Sequence, residues 1–370
     1  MLILAKFYIR DIAGIVKICK FKYHIMKKRN LFSLFMMLFA TGIMAQSVPT
    51  HEMYVNSGTP TNIVEALDKW EPGKPWNGDA NYIDENFWIS RVPLKDRFRP
   101  GDQANDALND ENNKKFCWMA PTGEMTKKWG ALPRYNFDGD NFNMWQYLDI
   151  HSNWTNGFWR VPGAFNDVAH KNGVKTGCTY FIDWGAGVNH MDEPGKTLYD
   201  LAEPSYGSNP YGDEYKYSRK LIQFLKYYGI DGLCFNPEGY WGVKVYSRFI
   251  PFLAECHKIA EELNWAFHVD WYAYVANDGW LDDNGCKLNG DNNDWFHHTS
   301  TNQPVTDVFF LNYNWTEGGL RESVETAQSH GRSTFDVYAG FDMQGRGYGR
   351  NGNAGWEVLM KWKMVRLCLR

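Results

Sequence analysis

From about residue 115 the chain alternates short apolar runs, typical of buried strands, with longer segments that carry an apolar stripe at helical spacing. In the segment 215–228, for example, Leu221, Ile222, Leu225 and Tyr228 fall on one face, as burial against a sheet requires. The predicted strands are Phe116–Met119, Gln146–Ile150, Val174–Phe181, Gly232–Asn236, Ala266–Asp270, Val308–Asn312 and Val337–Phe341. The predicted helices are Ile63–Lys69, Ala164–Lys171, Tyr215–Tyr228, Tyr246–Leu263, Leu320–Ser329 and Trp356–Leu367.

Repeated strand–helix units build a parallel sheet with right-handed crossovers, and a series this long predicts an α/β protein with a (β/α)8 TIM barrel. An eighth strand and its helix should follow residue 367, yet the sequence ends at Arg370. A barrel short of one strand would leave two open edges. The sequence therefore predicts a barrel that is truncated before or within its last β/α unit, unless the strand count is off by one.

The N-terminal residues have the composition of a targeting segment. Residues 26–29 are basic after Met26, residues 31–44 are apolar, and Ala45 is a small cleavage residue, which together predict a secretory signal peptide of bacterial type. The apolar stretch is too short for a comfortable membrane span. We therefore expect translation to start at Met26 and the protein to be exported to the periplasm, cell surface or medium.

These patterns give a three-part organisation. We expect an upstream extension and signal peptide at 1–46, an irregular N-terminal lead-in at 47–114, and a C-terminally incomplete catalytic barrel at 115–370.

Composition narrows the possible partners. The net charge is -4, which gives no reason to expect nucleic acid or an anionic membrane as partner. The 7 cysteines show no C-x-x-C spacing, so neither a disulfide framework nor a zinc site is expected. We predict no metal and no cofactor, no stable membrane span, and a monomer.

Asn236 and Glu238 end the predicted strand Gly232–Asn236. Side chains alternate along a strand, so this amide and this carboxyl point the same way, roughly 7 Å apart along the chain. A carboxylic acid can protonate a glycosidic oxygen, while an amide can hydrogen-bond the N-acetyl group of a 2-acetamido sugar. The acetamido oxygen then attacks the anomeric carbon, so no carboxylate nucleophile is needed. The alternative is a buried strand that ends in a polar turn, with Glu238 solvated.

Other polar and aromatic residues follow the predicted strands, where the site of such a barrel lies. Tyr272 can hydrogen-bond the acetamido oxygen or the attacking water, or be an interfacial tyrosine. Trp184 and Trp315 can form sugar-stacking walls, or pack in the core. Arg346 lies between two glycines and can reach a substrate hydroxyl, although a loop salt bridge explains it equally well.

The segment Gly229–Glu238 resembles the catalytic strand of glycoside hydrolase family 85, the endo-β-N-acetylglucosaminidases. Further segments are similar to other parts of that family in order and spacing. They are Val161–Val174, Thr179–Gly185, Asp270–Tyr272, Phe310–Trp315 and Val337–Gly347. The likeness covers about residues 85–365 and rests on six ordered motifs.

The resemblance implies roles for particular residues. It implies Glu238 as acid/base, Asn236 as the residue that orients the acetamido group, and Tyr272 in the hydrogen-bond network of the intermediate. It also implies Trp315 in the sugar site, and Trp271, Asn312 and Tyr313 fall within the matching motifs as substrate-binding candidates.

This sequence departs from the family pattern at three places. Pro237 stands where an aliphatic residue is usual, Ala273-Tyr274 replace the Asp-Ser that is expected after Tyr272, and the family's W-Q-N run is absent, although Trp280 offers another aromatic. The eighth strand and the accessory β-domains are not found either.

The resemblance implies hydrolysis of the GlcNAc-β1,4-GlcNAc core of N-linked glycans on glycoproteins, with retention of configuration. One alternative is a family 18-like chitinase or endoglycosidase, whose strand reads D-G-x-D-x-D-x-E. Cys234 and Asn236 occupy the two inner aspartate positions here, which argues against it. A catalytically silent glycan-binding protein is the other alternative.

Overall fold

The computed structural model describes residues 63–74, 88–97, 116–120, 144–153, 161, 163–182, 198–238, 242–280, 282, 285–342 and 366–369. These residues all belong to the larger of two compact units, which comprises residues 51–129 and 134–370. The predicted signal peptide at 26–46 lies outside the described residues.

Eight parallel strands of the described chain form a closed barrel. The barrel strands are β1 (Phe116–Ala120), β2 (Leu148–Asn153), β3 (Lys175–Ile182), β4 (Gly232–Pro237), β5 (His268–Tyr272), β8 (Val308–Phe310), β9 (Val337–Phe341) and β10 (Arg366–Leu369). Two short strands, β6 (His297–His298) and β7 (Gln303–Pro304), pair as an antiparallel hairpin between β5 and β8. Around the sheet the order is β1, β2, β3, β4, β5, β8, β9, β10, and β10 returns to β1.

The described helices are α1 (Ile63–Lys69), α2 (Gly163–Lys171), α3 (Ser218–Tyr228), α4 (Gly242–Glu262) and α5 (Glu317–Ser329). α2 to α5 lie between successive barrel strands, as right-handed β/α crossovers require. The end of α3 shows how the sequence sets a boundary. Gly229 adopts a left-handed φ of 73° there and donates from its backbone N–H to the Leu225 and Lys226 carbonyls.

Alternation along the strands separates two cores. Phe235 of β4 faces the helices and packs edge-on against Phe249 of α4, with ring centroids 5.2 Å apart. The neighbouring residue Cys234 belongs instead to an interior cluster with Tyr272, Phe310 and Tyr338. A closed barrel of eight strands has an interior just wide enough for side chains to fill it. Residues that point inward therefore meet one another beneath the barrel mouth.

The prediction of a (β/α)8 barrel is confirmed, and one strand had been missed in the count. Arg366–Leu369 pairs with β9 on one side and β1 on the other, so the expected open edges are not formed. The predicted helix Trp356–Leu367 is wrong at its end, because residues 366 and 367 belong to this strand. The rest of that helix lies outside the described residues.

A segment of the N-terminal lead-in, residues 88–97, packs along α2. The Asp167 carboxylate accepts hydrogen bonds from the backbone N–H groups of Arg91 and Val92, at 2.7 and 2.9 Å. His170 contacts the Val92 carbonyl through Nδ1 at 2.6 Å and the buried Asp231 carboxylate through Nε2 at 2.8 Å. Because both partners are acceptors, both ring nitrogens carry protons. This buried ion pair ties the lead-in to the start of β4.

No helix in the described part of the chain has both the length and the apolar character needed to cross a membrane.

Removing residues 366–370 should open the barrel. Without β10, the facing edges of β1 and β9 lose their backbone hydrogen-bond partners and become exposed to solvent or to other chains. We expect this truncation to abolish cooperative thermal unfolding followed by circular dichroism and to promote aggregation in size-exclusion chromatography. Removal of Arg370 alone is the control, and a truncated chain that melts like the control would contradict the closure.

His151 should make the protein sensitive to acid. Its buried imidazole on β2 has a pKa lowered to about 3, because burial disfavours the charged form. The unfolded chain binds this proton near pH 6.5 and the folded chain does not. Stability should therefore fall by up to about 1.4 kcal/mol per pH unit as the pH drops below 6.5. In urea unfolding at pH 7 and pH 5, His151→Gln should lose less stability than the unaltered chain; an equal loss would contradict the assignment.

Candidate active site

Asn236 and Glu238 converge where β4 ends. The Asn236 Nδ2 donates a hydrogen bond of 2.9 Å to Glu238 Oε1. Their contact is possible because the chain turns at Pro237, where the Glu238 backbone N–H donates to the Asn236 carbonyl at 3.1 Å. β4 ends at Pro237, as the missing N–H of proline predicts. The two predicted catalytic side chains are therefore brought together by a tight turn at the barrel mouth.

The two side chains differ in burial. Asn236 is fully buried, whereas Glu238 is half-buried. The second polar atom of the Asn236 amide, Oδ1, accepts no hydrogen bond from any residue that the structure describes. A buried amide oxygen without a donor costs stability, so such atoms usually meet a water or a ligand. The pair thus offers an acid or base in contact with solvent beside a buried hydrogen-bond acceptor.

Tyr272 lies on the neighbouring strand beside this pair. In the β4–β5 register Cys234 is opposite Asp270, and one more step along the same face of each strand leads to Asn236 and Tyr272. The phenol ring packs near three other rings, with centroid distances of 5.1 Å to Phe310, 5.8 Å to Tyr274 and 6.0 Å to Tyr313. Tyr274, which the sequence analysis did not propose, joins the site through this cluster.

Asn312 and Tyr313 follow β8 at the same end of the barrel. Tyr313 belongs to the interior cluster, and the Asn312 Oδ1 accepts a hydrogen bond of 2.7 Å from the Tyr313 backbone N–H. The structure therefore gathers Asn236, Glu238, Tyr272 and Tyr313 at the rim, with Asn312 shaping the turn beside them.

Trp271 and Trp315 do not face the barrel interior. Trp271 is fully buried and stacks on Trp295 with ring centroids 4.1 Å apart, in the core that contacts the helices. Trp315 is 2% exposed, and its Nε1 donates a hydrogen bond of 2.9 Å to the Gly340 carbonyl. The substrate-binding role expected of Trp271 is not supported, because alternation along β5 turns it away from Tyr272. The surroundings of Trp315 match the alternative given for it, which is packing in the core.

Two predicted substrate-binding residues, Trp184 and Arg346, lie outside the described residues. Within the described ranges, no group of three or more histidine, cysteine or acidic side chains is arranged to hold a metal ion.

A buried polar layer beneath the site was missed by the sequence analysis, which placed Asp270 at a strand end. β5 in fact continues to Tyr272, and Asp270 points into the barrel. Its Oδ1 contacts His268 Nδ1 at 2.9 Å, and its Oδ2 accepts a hydrogen bond from the Ser152 hydroxyl of β2. Polar residues at every second position of β5 (His268, Asp270, Tyr272) were the available signal. Asp270 is fully buried with both oxygens bonded, so it is not placed to be a nucleophile.

A family model described as Glycosyl hydrolase family 85 matches residues 124–368. The chain therefore belongs to glycosyl hydrolase family 85, and the predicted family is confirmed.

Curated relatives agree with this family. A protein named cytosolic endo-beta-N-acetylglucosaminidase from Danio rerio is 27% identical over 231 residues, which are 60% of this chain and 29% of the relative. The protein of the same name from Gallus gallus is 27% identical over 306 residues, 81% of this chain and 37% of the relative. This chain thus spans about a third of the length of these relatives.

Among solved structures, the glycoside hydrolase domain of Endo-D from Streptococcus pneumoniae R6 has the same fold. It superimposes with a TM-score of 0.65 at 23% identity, covering 82% of this chain and 45% of that chain.

The prediction of export is contradicted by these comparisons. The relatives from Danio rerio, Arabidopsis thaliana and Gallus gallus are all named cytosolic endo-beta-N-acetylglucosaminidases. The predicted signal peptide, secretion and bacterial source find no support in them.

Trp271→Phe should lower the free energy of unfolding. The smaller ring gives up part of the stack on Trp295, so we expect a loss of about 2 kcal/mol in the free energy of unfolding. Trp280→Phe is the matched control, because Trp280 is 58% exposed and its replacement should change stability by no more than about 0.5 kcal/mol. Urea unfolding measures both variants, and a Trp271→Phe variant that unfolds like the control would contradict the core role of Trp271.

Proposed function

We propose that the chain is an endo-β-N-acetylglucosaminidase that hydrolyses the GlcNAc-β1,4-GlcNAc core of N-linked glycans with retention of configuration. The observation that carries this proposal is the Asn236–Glu238 pair, in which the amide nitrogen holds the carboxyl group and the amide oxygen is left as a buried acceptor. The names of the curated relatives support the same activity.

Glu238 is the proposed general acid and then general base. Its half-buried position at the barrel mouth lets it reach both a glycosidic oxygen and a water molecule. It first donates its proton to the oxygen of the departing GlcNAc, and later accepts a proton from the water that attacks the anomeric carbon.

Asn236 is proposed to orient the acetamido group of the sugar. Its Oδ1 is an acceptor, and the acetamido N–H is the matching donor. A hydrogen bond between them turns the acetamido oxygen toward the anomeric carbon, where it forms a bond as the leaving group departs. The resulting oxazolinium opens when water adds to the anomeric carbon from the face of the departed group, so the configuration is retained.

Tyr272 is proposed to complete the pocket around this intermediate. It lies next to Asn236 on the adjoining strand and belongs to the interior aromatic cluster with Tyr313. Aromatic rings also stack on the apolar faces of sugars, which suits a rim built from tyrosines. A classical pair of carboxylates is not favoured, because the other inward-facing carboxylate of β4 and β5, Asp270, has both oxygens bonded to protein groups.

The decisive experiment incubates a high-mannose glycopeptide with the purified chain and analyses the products by mass spectrometry. We expect a peptide that keeps a single GlcNAc, and we expect Glu238→Gln to cut the rate by about 100-fold or more. Asn236→Ala should reduce the rate by about 100-fold as well, because the acetamido group loses its guide.

Glu261→Gln is the matched control. It makes the same chemical change on the exposed side of α4, far from the Asn236–Glu238 pair. Binding of the glycan by a folded chain without any cleavage would identify a glycan-binding protein instead. Cleavage that survives Glu238→Gln would overturn the assigned mechanism.

A further inference from the structure

A series of hydrogen bonds crosses the barrel interior below the Asn236–Glu238 pair. It runs from the Ser152 hydroxyl on β2 to the Asp270 carboxylate, on to the His268 ring, and ends at the Thr176 carbonyl, which His268 Nε2 meets at 3.1 Å. β2 and β5 are separated by β3 and β4 in the sheet, so the Ser152–Asp270 contact spans the lumen. All three of these side chains are essentially inaccessible to solvent.

Two glycines make room for these hydrogen-bonded side chains. A Cβ atom on Gly232 would lie 2.4 Å from His268 Cδ2, and a Cβ on Gly177 would lie 2.9 Å from the Ser152 hydroxyl oxygen. Neither distance is possible for real atoms without a shift of the ring or of the strand. The sequence therefore keeps the smallest residue at two neighbouring positions, on β3 and β4, where the imidazole needs space.

The pair is ionic. Both partners of His268, the Thr176 carbonyl and the Asp270 carboxylate, are acceptors, so both ring nitrogens must carry protons. Burial alone would lower the pKa of His268, but the charge of Asp270 and the hydrogen bond to it outweigh burial and raise that pKa. The interior thus holds a buried imidazolium and a buried carboxylate side by side.

The His268–Asp270 pair is oriented relative to the barrel mouth, because its two charges lie at different depths along β5. Strands of this barrel run toward the mouth, so His268 lies deepest, Asp270 comes next, and Tyr272 is at the rim. The negative charge is therefore the nearer of the two to the site. A buried ion pair is generally no more stabilising than apolar residues of the same size, so a function other than stability can explain its presence here.

We propose that Asp270 is an electrostatic positioning residue for the reaction, and that its carboxylate favours the cationic sugar intermediate over the neutral substrate. This inference rests on the proposed function. No bond forms to Asp270, because both of its oxygens are held by protein groups. The interaction acts through space in the barrel interior, where the weak screening of charges increases its strength. Ser152 and His268 fix where the charge lies.

Asp270→Asn tests the charge while it keeps the shape of the side chain. We expect kcat to fall by about 10-fold with KM little changed, because only the charged state is affected. Two ligands separate charge from packing in calorimetric titrations: a GlcNAc-configured cyclic amine, which is a cation, and the neutral glycan product. The variant should bind the cation about 10-fold more weakly and the neutral product equally well. Equal effects on both ligands, or none on either, would overturn the inference.

Two control variants distinguish this role from a purely structural one. Ser152→Ala removes a hydrogen bond but keeps the carboxylate, so the preference for the cation should remain. If the Ser152–Asp270 contact had only a structural role, this variant would instead bind both ligands more weakly. Asp307→Asn removes a carboxylate that accepts a hydrogen bond of 2.7 Å from the Val269 backbone at the other end of β5. It should lower the melting temperature and leave the ratio of the two affinities unchanged.

If Asp270→Asn does not fold, His268→Gln takes its place. It keeps the carboxylate and removes the positive partner, so the cation should gain affinity relative to the neutral product, and a loss for both would overturn the inference. Failure of the proposed function is recognised separately, because the unaltered chain would then leave the glycopeptide uncleaved. Cleavage by Asp270→Asn at the unaltered rate, with its cation preference intact, would refute only the role of Asp270.

Discussion

Closure of the sheet is the constraint on which the rest of the molecule depends. β10 supplies backbone hydrogen bonds to both β9 and β1, so each of the eight strands has two neighbours. In a closed sheet every residue points either into the lumen or toward the helices, and the C-terminal ends of all the strands meet at one rim. The position of Asn236 and Glu238 at that rim, and of Asp270 beneath it, follows from this geometry.

Alternation on a closed sheet also explains how neighbouring residues differ in role. Trp271 and Tyr272 are adjacent in sequence, yet one stacks on Trp295 outside the barrel and the other packs with Phe310 inside it. The outward residues form an aromatic core with the helices. The inward residues include His268 and Asp270, whose opposite charges balance each other within the lumen.

Much of the architecture could be predicted from local patterns. α1 and β9 were predicted with the observed bounds, because each has a clear apolar pattern and a clear end. β5 was predicted two residues too early. Its inward face is polar, so the apolar residues just before it were included in the predicted strand. α5 was predicted to begin at Leu320, whereas it begins three residues earlier, at Glu317. Thr316 caps it there by accepting a hydrogen bond from the Gly319 backbone N–H at 3.0 Å. Arg366 and Leu367, the first two residues of β10, were predicted as the end of a helix, because a strand of four residues is too short to show a periodicity of its own.

The amino-acid sequence by itself determined the repeated strand–helix order, the family motif around Glu238, and the chemical type of each residue in the site. Local pattern carries this information, because side-chain periodicity and turn residues act within a few positions of the chain. Only the tertiary structure decided that the barrel closes, that the turn at Pro237 brings the Asn236 amide to the Glu238 carboxyl, and that Ser152 meets Asp270 across the lumen. These contacts join strands far apart in sequence or depend on the backbone path at a strand end. Neither kind of contact can be predicted from a local sequence pattern.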